Sequence, residues 1–468
     1  MAPLHMVTVL EQSQVAPPPG TVADTSVPLS FLDIPWLSLP PVQILLFYDF
    51  PHSKAYFIET LIPNLKHSLS LTLKHFFPLA GNLIYPTGSS TSKPVIRYVD
   101  GNSVSVTFAE SSNYDYNYLT GNHARNACAF YPLAPQLPPA TTASDAVVVP
   151  LVAVQVTLFP NEGICVAFTL RHLAGDFRSW MHFINSWALV TKFQGDAKLL
   201  ADKTIPVFER SMIKDPTGLE TIFLNQMREA RFEYPQFVPG DDMVRATFII
   251  RHADVKRLKG LVLSLRPTLS RVSTFSVACA YIWICMMKTR DSEKVRANDI
   301  GQAEVIATLA ECRGRLDPPI PATYFGNCLV PCHTTAKTDQ LMAGGGLITA
   351  AELIGEGIRK RLQDEEGVLK GLKTWIPDFE QAVRQHYVGV SGSPKFTTYT
   401  ADFGWGSPKK FEPLAVDDME NSFYIGHCRD SEDGAFEVGL FFPKVRMDAF
   451  ATLFADGLKD GSFFISRL

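Results

Sequence analysis

Two apolar runs near the middle of the chain constrain its fold more than any other feature. They cover residues 146–159 and 164–170 and are separated by Asn161-Glu162-Gly163. The longer run has only about 14 residues, which is too short to cross a bilayer as a helix. Apolar runs joined by a short glycine-bearing loop are typical of paired strands buried inside a sheet. We therefore expect these residues to form the centre of a packed sheet.

The rest of the chain alternates between strand-like and helix-like patterns. Apolar residues recur at three- and four-residue steps, which predicts amphipathic helices at 57–77, 177–193, 255–265, 347–362 and 446–458. Strands are expected at 29–37 and 245–251, and in hairpins at 95–108 and 423–442. Because this alternation lacks strict βαβ regularity, we predict an α/β fold with mixed or largely antiparallel sheets.

The size of the chain predicts two domains. Its 468 residues exceed what one hydrophobic core usually covers, and the apolar content of 46% is ample for packed cores. We predict an N-terminal domain at 1–200, a proline-punctuated crossover segment at 201–240, and a C-terminal domain at 241–468.

Charge and cysteine content argue against several classes of protein. A net charge of -4 gives no basic surface for nucleic acid or an anionic membrane. The N-terminus lacks the basic and apolar regions of a signal peptide, so a cytoplasmic location is expected. The eight cysteines form no paired C-x-x-C clusters, which argues against a disulfide scaffold. Cys328, Cys332 and His333 lack a second ligand pair, so no metal site is predicted.

His172 is the main candidate for a catalytic residue. It directly follows the second apolar run and precedes Asp176 in the sequence Arg171-His172-Leu173-Ala174-Gly175-Asp176. A histidine at the end of a buried strand has a rigid mount and a pKa near working pH, which suits a general base. A structural histidine satisfied by hydrogen bonds fits the same pattern, and the spacing alone favours that interpretation.

Two other clusters have plain structural interpretations. Asp402-Phe403-Gly404-Trp405-Gly406 describes a stiff loop in which a packed indole and an ion-paired or hydrogen-bonded aspartate hold the backbone. Arg313 and Arg315 precede a proline run and suit either bidentate pairs with buried carboxylates or contacts with phosphate oxygens. The motifs of P-loop nucleotide-binding proteins, serine hydrolases and zinc proteases are absent from the sequence.

Taken together, the motifs at 172–176 and 402–406 resemble the two signatures of the plant BAHD acyl-CoA-dependent acyltransferases. Tyr324-Phe325-Gly326-Asn327-Cys328 resembles the motif of the branch that acts on anthocyanins and other flavonoid glycosides, including malonyltransferases. Further similar segments span nearly the whole chain; they are Thr8-Val9-Leu10-Glu11, Ile62-Pro63-Asn64-Leu65, Val154-Gln155-Val156-Thr157 and Val277-Ala278-Cys279-Ala280-Tyr281-Ile282-Trp283. The resemblance reverses the interpretation of His172 in favour of catalysis.

The resemblance implies a chloramphenicol-acetyltransferase-like fold of two α/β domains, with a channel at the domain interface. His172 would take the proton of an acceptor hydroxyl, which attacks the thioester of an acyl-CoA in a ternary complex without an acyl-enzyme. Proximity in the channel would supply much of the rate. The resemblance implies acyl-CoA as co-substrate, malonyl-CoA above all, with no permanently bound cofactor. We expect a monomer without membrane or nucleic-acid partners.

The resemblance also implies roles for individual residues. Asp176 would pair with Arg313 or Arg315 as structural support for the histidine. Asp402 would shape the fold, with a proton-accepting role as the alternative. Two further groups are expected near the substrates: Ser273, Thr274, Arg313, Ser391, Gly392 and Ser393 for CoA, and Trp36, Arg178 and Trp405 for the acyl group or acceptor.

The predicted reaction is malonyl transfer from malonyl-CoA to a sugar hydroxyl, the glucose 6-position, of a flavonoid or anthocyanin glycoside. Many members of the malonyl branch that the chain resembles have a second histidine or an asparagine where this chain has Arg171. They tend to have small residues where this chain has Phe177-Arg178-Ser179-Trp180. Arg178 suits the carboxylate of a malonyl group, but the bulk beside His172 leaves the donor open. The alternatives are hydroxycinnamoyl transfer from coumaroyl- or caffeoyl-CoA and a catalytically weak binding protein of the same fold.

Overall fold

The fold is taken from a computed structural model that describes residues 7–87, 93–111, 115–143, 145–196, 200, 204–229, 240–267, 269, 271–290, 302–396, 398–414, 417, 421–429 and 434–460. The predicted crossover segment therefore lies partly outside the described residues, at 201–203 and 230–239.

The described strands are β1 (Val7–Val15), β2 (Thr25–Pro28), β3 (Val42–Asp49), β4 (Asn82–Pro86), β5 (Val95–Tyr98), β6 (Val104–Ser111), β7 (Arg125–Asn126), β8 (Thr141–Thr142), β9 (Ala146–Pro150), β10 (Val152–Phe159), β11 (Gly163–Leu170), β12 (Met243–Ile250), β13 (Ala303–Glu311), β14 (Leu329–Lys337), β15 (His386–Ser391), β16 (Lys410–Pro413), β17 (Phe423–His427) and β18 (Phe436–Pro443).

The described α-helices are α1 (Lys54–Tyr56), α2 (Ile62–His75), α3 (Tyr116–Thr120), α4 (Phe177–Lys192), α5 (Leu219–Glu229), α6 (His252–Leu265), α7 (Thr274–Lys288), α8 (Thr338–Met342), α9 (Gly346–Leu362), α10 (Trp375–Ala382) and α11 (Lys444–Asp460). None of these described helices combines the length and the apolarity needed to cross a bilayer.

The described strands form three sheets. The first has six strands in the order β1-β6-β10-β11-β3-β16, the second has seven in the order β14-β13-β15-β17-β18-β12-β7, and the third has five in the order β2-β5-β4-β9-β8. Both large sheets are mixed, since β10 runs parallel to β6 and β15 runs parallel to β13 and β17. The mixed α/β architecture predicted from the sequence is confirmed.

Two strands cross the predicted domain division. β16 comes from the C-terminal half of the chain but pairs with β3 at the edge of the first sheet. β7 comes from the N-terminal half and pairs with β12 in the second sheet. The division into 1–200 and 241–468 stays a prediction, and the sheets interlock across it.

Buried ion pairs stabilise this strand exchange. Glu412 of β16 accepts Arg125 of β7 at 2.5 Å and Arg245 of β12 at 3.5 Å. The guanidinium of Arg245 also contacts the buried carboxylate of Asp417. Burial alone would raise the pKa of Glu412, but Arg125, Lys410 and Arg245 outweigh it, and the pKa is lowered. The two large sheets are therefore joined through buried charges as well as through apolar packing.

The central apolar runs behave partly as predicted. β10 and β11 pair antiparallel around 161–163, and every residue of both strands is buried, which confirms the predicted hairpin. The run at 146–159 is not one strand, however. It divides at Leu151 into β9, in the third sheet, and β10, in the first. Pro150 ends β9, since proline has no N–H to continue a strand ladder.

Two other strand predictions are wrong. Residues 95–108 do not form a hairpin, because β5 joins the third sheet while β6 pairs with β1 and β10 in the first. Residues 29–37 form a turn and a short 3-10 helix (Ile34–Trp36) rather than a strand. The carboxylate of Asp33 accepts the N–H and the hydroxyl of Ser30, and such local hydrogen bonds compete with strand pairing.

Candidate active site

β11 places His172 at the end of a rigid element. The strand is hydrogen-bonded on both sides, by β10 and β3. The N–H of Arg171 still donates to the Leu151 carbonyl at 2.9 Å, and a single 3-10 turn, His172–Ala174, follows. At Gly175 an added Cβ would lie 2.8 Å from the Cβ of Ser179, so the turn can pack against α4 only with glycine there.

Asp176 forms a buried bidentate pair with Arg313. The two carboxylate oxygens lie 2.7 Å and 3.0 Å from the guanidinium nitrogens. Asp176 also caps α4 by accepting the Ser179 N–H at 3.0 Å, and it accepts the Cys328 N–H at 3.1 Å. Burial alone would raise the pKa of Asp176, but Arg313 and these N–H donors outweigh it, and the pKa is lowered. The carboxylate is an ionised structural clamp.

Arg313 has no free donor for a CoA phosphate. Besides Asp176, its guanidinium donates to Glu311 and to the carbonyls of Tyr324 and Gly326. Its side chain is only 2% exposed, which leaves it out of reach of a ligand. The other arginine considered from the sequence, Arg315, is exposed and donates to the Glu311 carbonyl.

The imidazole of His172 stacks on Trp36. The ring centroids are 3.9 Å apart and the planes differ by 16°. The indole N–H of Trp36 donates to the Leu32 carbonyl at 2.9 Å. Trp375 packs edge-on against the same indole, with ring centroids 5.8 Å apart. Burial lowers the pKa of His172, with Asp176, its own carbonyl and Asn327 acting in the opposite direction. The ring is therefore neutral at neutral pH, as a proton acceptor must be.

Sequence reasoning did not single out two buried residues beside this turn. Asn327 donates its amide to the carbonyls of His172 and Leu173 and to Asp33. Asp33 in turn pairs with Arg210, whose Nε lies 3.1 Å from the carboxylate. The only sequence signal was that Asn327 lies in the motif at 324–328, which carries no chemical role by itself.

Asp402 holds a surface loop far from His172. It accepts the N–H groups of Gly404 and Gly406 at 2.8 Å and 2.9 Å and pairs with Lys192 at 2.6 Å. Both glycines have positive φ, 103° and 83°, which other residues rarely adopt. Burial would raise the pKa of Asp402, but Lys192 and the two N–H groups outweigh it and lower the pKa.

Helix α4 separates this loop from the candidate base. Lys192 ends α4 and Asp176 caps its beginning, and a helix of 16 residues is about 24 Å long. Trp405 packs on Tyr48, Phe50 and Phe403 at this distant end. The structure thus places neither Asp402 nor Trp405 beside His172.

The predicted CoA-binding segments flank one small apolar cleft. Ser273 caps α7, and Ser391 ends β15. Their neighbours Phe275 and Val390 line the same cleft, whose other walls are Cys279, Ile306, Thr308, Cys332, Thr334, Ile354 and Ile358. At Gly392, with φ of 81°, a Cβ would lie 2.6 Å from the Ile425 carbonyl oxygen. The neighbours of Thr274 and Ser391 in the chain, Phe275 and Val390, therefore lie at one cleft.

Arg178 lies on the first turn of α4, directly after the clamp at Asp176. It is exposed, and in the described part of the chain it makes no ion pair or hydrogen bond. Arg178 is thus a cation close to the histidine turn in sequence, as is the half-buried Arg171, whose Nε donates to the Pro150 carbonyl.

The fold matches solved structures over nearly the whole chain. Vinorine synthase aligns with a TM-score of 0.66 at 18% identity, covering 95% of this chain and 96% of that one. F. graminearum TRI101 complexed with coenzyme A and T-2 mycotoxin aligns with a TM-score of 0.61 at 16% identity, covering 91% of this chain and 96% of that one. The chain thus has the mixed α/β fold of these two proteins.

Sequence comparison gives the family. The Transferase family matches residues 5–456. Phenolic glucoside malonyltransferase 1 of Nicotiana tabacum is 42% identical over 97% of this chain and 99% of its own length. Malonyl-coenzyme A:anthocyanin 3-O-glucoside-6''-O-malonyltransferase of Dahlia pinnata is 42% identical over 97% and 98%. The chain belongs to this family, the BAHD acyl-CoA-dependent acyltransferases, and these two relatives within it are malonyltransferases.

Proposed function

We propose that this protein transfers malonyl from malonyl-CoA to a sugar hydroxyl, the glucose 6-position, of a flavonoid, anthocyanin or related phenolic glycoside. The observation that carries the proposal is the full-length similarity, at 42% identity, to malonyltransferases of anthocyanin and phenolic glucosides. The geometry around His172 supplies the chemistry that such a reaction needs.

His172 is the general base in this proposal. The neutral imidazole takes the proton of the acceptor hydroxyl while the oxygen attacks the thioester carbonyl. The tetrahedral intermediate collapses, the carbon–sulfur bond breaks, and the imidazolium returns the proton to the departing thiolate of CoA. Both substrates are bound together, so no acyl-enzyme forms. The Asp176–Arg313 clamp holds the turn that aims the ring, and orientation of the reactants supplies much of the rate.

CoA is proposed to approach from the second sheet. The cleft between α7 and β15 supports this, because Phe275 and Val390, which line it, are the chain neighbours of Thr274 and Ser391. Arg178 is proposed to bind the free carboxylate of the malonyl group, since its exposed guanidinium, which has no partner among the described residues, can form a bidentate pair with it.

A hydroxycinnamoyl donor is the second candidate. A coumaroyl-CoA:anthocyanidin 3-O-glucoside-6''-O-coumaroyltransferase of Arabidopsis thaliana is 34% identical over 98% of this chain. The rings of Trp36 and Trp375, which pack edge-to-face beside His172, are a surface that an aromatic acyl group would suit.

A donor panel separates the two candidates. The purified protein is given malonyl-CoA, coumaroyl-CoA or acetyl-CoA with one anthocyanidin 3-O-glucoside, and products are identified by mass spectrometry. The proposal predicts the malonylated glucoside as the main product. Faster transfer from coumaroyl-CoA would assign the enzyme to hydroxycinnamoyl transfer instead, and CoA binding without product would indicate a binding protein. The cytoplasmic location, the monomeric state and the lack of a permanently bound cofactor stay predictions from the sequence.

A further inference from the structure

Phe177 connects the helix that follows the histidine turn to the segment predicted to lie near CoA. It is the first residue of α4 and directly follows Asp176, whose carboxylate is paired with Arg313. Its ring contacts the ring of Phe396, with centroids 5.3 Å apart, and the ring of Phe411, with centroids 5.9 Å apart. The start of α4 and the residues that follow β15 therefore meet through aromatic side chains.

The ring of Phe396 is held by the turn that follows β15. The N–H of Phe396 donates to the carbonyl of Ser393 at 3.0 Å, which closes the turn. At Gly392, an added Cβ would lie 2.6 Å from a ring carbon of Tyr424, so the turn packs directly on β17. Tyr424 also contacts Phe411, with ring centroids 5.4 Å apart. The position of Phe396 is therefore fixed by the second sheet, whereas that of Phe177 is fixed by the clamp at the start of α4.

The four rings of this cluster differ in exposure. Phe411 and Tyr424 are only 2% and 5% exposed, whereas Phe177 and Phe396 are half-buried. The plane of Phe177 is inclined by 53° to that of Phe396 and by 78° to that of Phe411, which are favourable geometries for rings in contact. Because the rings touch at these angles, they leave no parallel slot into which a flat group could insert.

The thioester of the donor has to lie between the two segments that this pair of rings joins. In the proposed reaction the carbonyl carbon is attacked beside His172, which shortly precedes Phe177 in the chain. CoA is proposed to approach at the cleft that Val390 lines, directly before the turn that carries Phe396. An acyl group on the CoA sulfur therefore has to fit the space that Phe177 and Phe396 leave.

We propose that Phe177 is a specificity-determining residue that limits the acyl donor to small groups. Together with Phe396 it fills the space beside the thioester, so that the short malonyl group fits and the larger, planar hydroxycinnamoyl group does not. Donor choice then has two separate sources, because Arg178 recognises charge and Phe177 limits size. This inference rests on the proposed function, in which CoA approaches from the second sheet.

The test measures kcat/KM for malonyl-CoA, acetyl-CoA and coumaroyl-CoA in the wild type and in Phe177→Ala, with one anthocyanidin 3-O-glucoside as acceptor. We expect the ratio of coumaroyl-CoA to malonyl-CoA use to rise at least about tenfold, because one methylene in an apolar pocket is already worth roughly 10- to 200-fold. The ratio of acetyl-CoA to malonyl-CoA use should change by less than about threefold, since both groups already fit the pocket.

Three further variants complete the test. Phe396→Ala removes the other ring and should shift the donor ratio in the same direction. Phe177→Leu keeps a smaller apolar side chain, should give a ratio between those of the wild type and Phe177→Ala, and decides the question if Phe177→Ala does not fold. Phe248→Ala is the matched control, because Phe248 is also half-buried and contacts two rings, Phe450 and Phe454, in the core of the second sheet. It should leave the donor ratio unchanged.

The outcomes separate this inference from the proposed function. If the wild type prefers malonyl-CoA and Phe177→Ala keeps the same donor ratio, the size limit is wrong and the proposed function stands. If Phe248→Ala shifts the ratio as much as Phe177→Ala does, the shift reflects a general loss of packing and the inference is also wrong. If the wild type transfers coumaroyl faster than malonyl, the proposed function fails and the size limit fails with it.

Discussion

The imidazole of His172 lies flat against the indole of Trp36, with ring centroids 3.9 Å apart. The two residues come from different parts of the chain, and Asp33 and Asn327 connect their backbones. The indole shields one face of the imidazole from water, which is consistent with burial as the main cause of the lowered His172 pKa. Trp36 and Asn327 should therefore affect this pKa in opposite directions.

Trp36→Ala should change the pH profile of kcat/KM. The acid limb of that profile, the pH range in which His172 loses its proton, should move to higher pH. Water admitted to the face of the ring relieves the burial effect, so the pKa of His172 rises towards its ordinary value. The measurement is kcat/KM for malonyl-CoA against pH. Trp405→Ala is the matched control, because it removes the same side chain from the distant loop at 402–406. A limb that moves equally in both variants would show that the stack with Trp36 does not set the pKa.

Asp176→Asn should destabilise the protein strongly. The substitution removes the buried bidentate carboxylate of Arg313 and leaves it only the partly exposed Glu311 as an anion. Breaking a buried pair in this way costs about 3–5 kcal/mol. Urea unfolding measures the loss. Arg315→Ala removes an exposed arginine from the same turn and should change the free energy of unfolding by less than about 0.5 kcal/mol. Equal effects of the two substitutions would contradict the assignment of the clamp to Arg313.

The Asp176 clamp also predicts a dependence of stability on pH. The pKa of Asp176 is lower in the folded than in the unfolded protein, so its contribution is present above the unfolded value of about 3.9. It is lost as the pH falls through the folded pKa. Wild-type stability should therefore fall more steeply below about pH 4 than that of Asp176→Asn. Parallel curves for the two proteins would show that Asp176 is not the group responsible.

Asp402→Ala should reduce stability but not the chemical step. The carboxylate accepts two backbone N–H groups, and leaving such groups unpaired costs about 1–3 kcal/mol. Its distance from the histidine turn, about the length of α4, predicts a kcat within about twofold of wild type. Thermal unfolding and steady-state kinetics give both values. A hundredfold loss of kcat with unchanged stability would support the alternative, a proton-accepting role for Asp402.

Arg178→Ala should selectively weaken the use of malonyl-CoA. Loss of the guanidinium should raise KM for malonyl-CoA about tenfold, equivalent to ~1.4 kcal/mol, and leave KM for coumaroyl-CoA unchanged. Arg178→Lys keeps the charge without the bidentate geometry. Its KM for malonyl-CoA should lie between those of the wild type and Arg178→Ala. If Arg178→Ala weakens both donors equally, Arg178 does not bind the malonyl carboxylate.

The sequence predicted what depends on local pattern. The apolar runs around 161–163 and the periodicity of 177–193 identified the β10–β11 hairpin and α4, and with them the position of His172. It failed where partners are distant in the chain. The two strand-like segments at 95–108 resemble a hairpin, yet β5 and β6 belong to different sheets. The strands with which they pair lie elsewhere in the sequence.

The buried hydrogen bonds around His172 could not be predicted from the sequence for the same reason. Asn327 and Asp33 are separated by 294 positions, and neither lies in a pattern that distinguishes a buried hydrogen-bond donor from a surface loop residue. The local apolar character of 29–37 even predicted a strand. Only the folded chain shows that its polar member, Asp33, is fully buried and holds the turn together.

The most direct measurement is malonyl transfer by His172→Ala, together with its affinity for CoA. We expect a loss of about 10² to 10⁴-fold in kcat, since that is the usual contribution of a general base, with CoA binding close to wild type. A His172→Ala enzyme that transfers malonyl at the wild-type rate would show that His172 is not the general base.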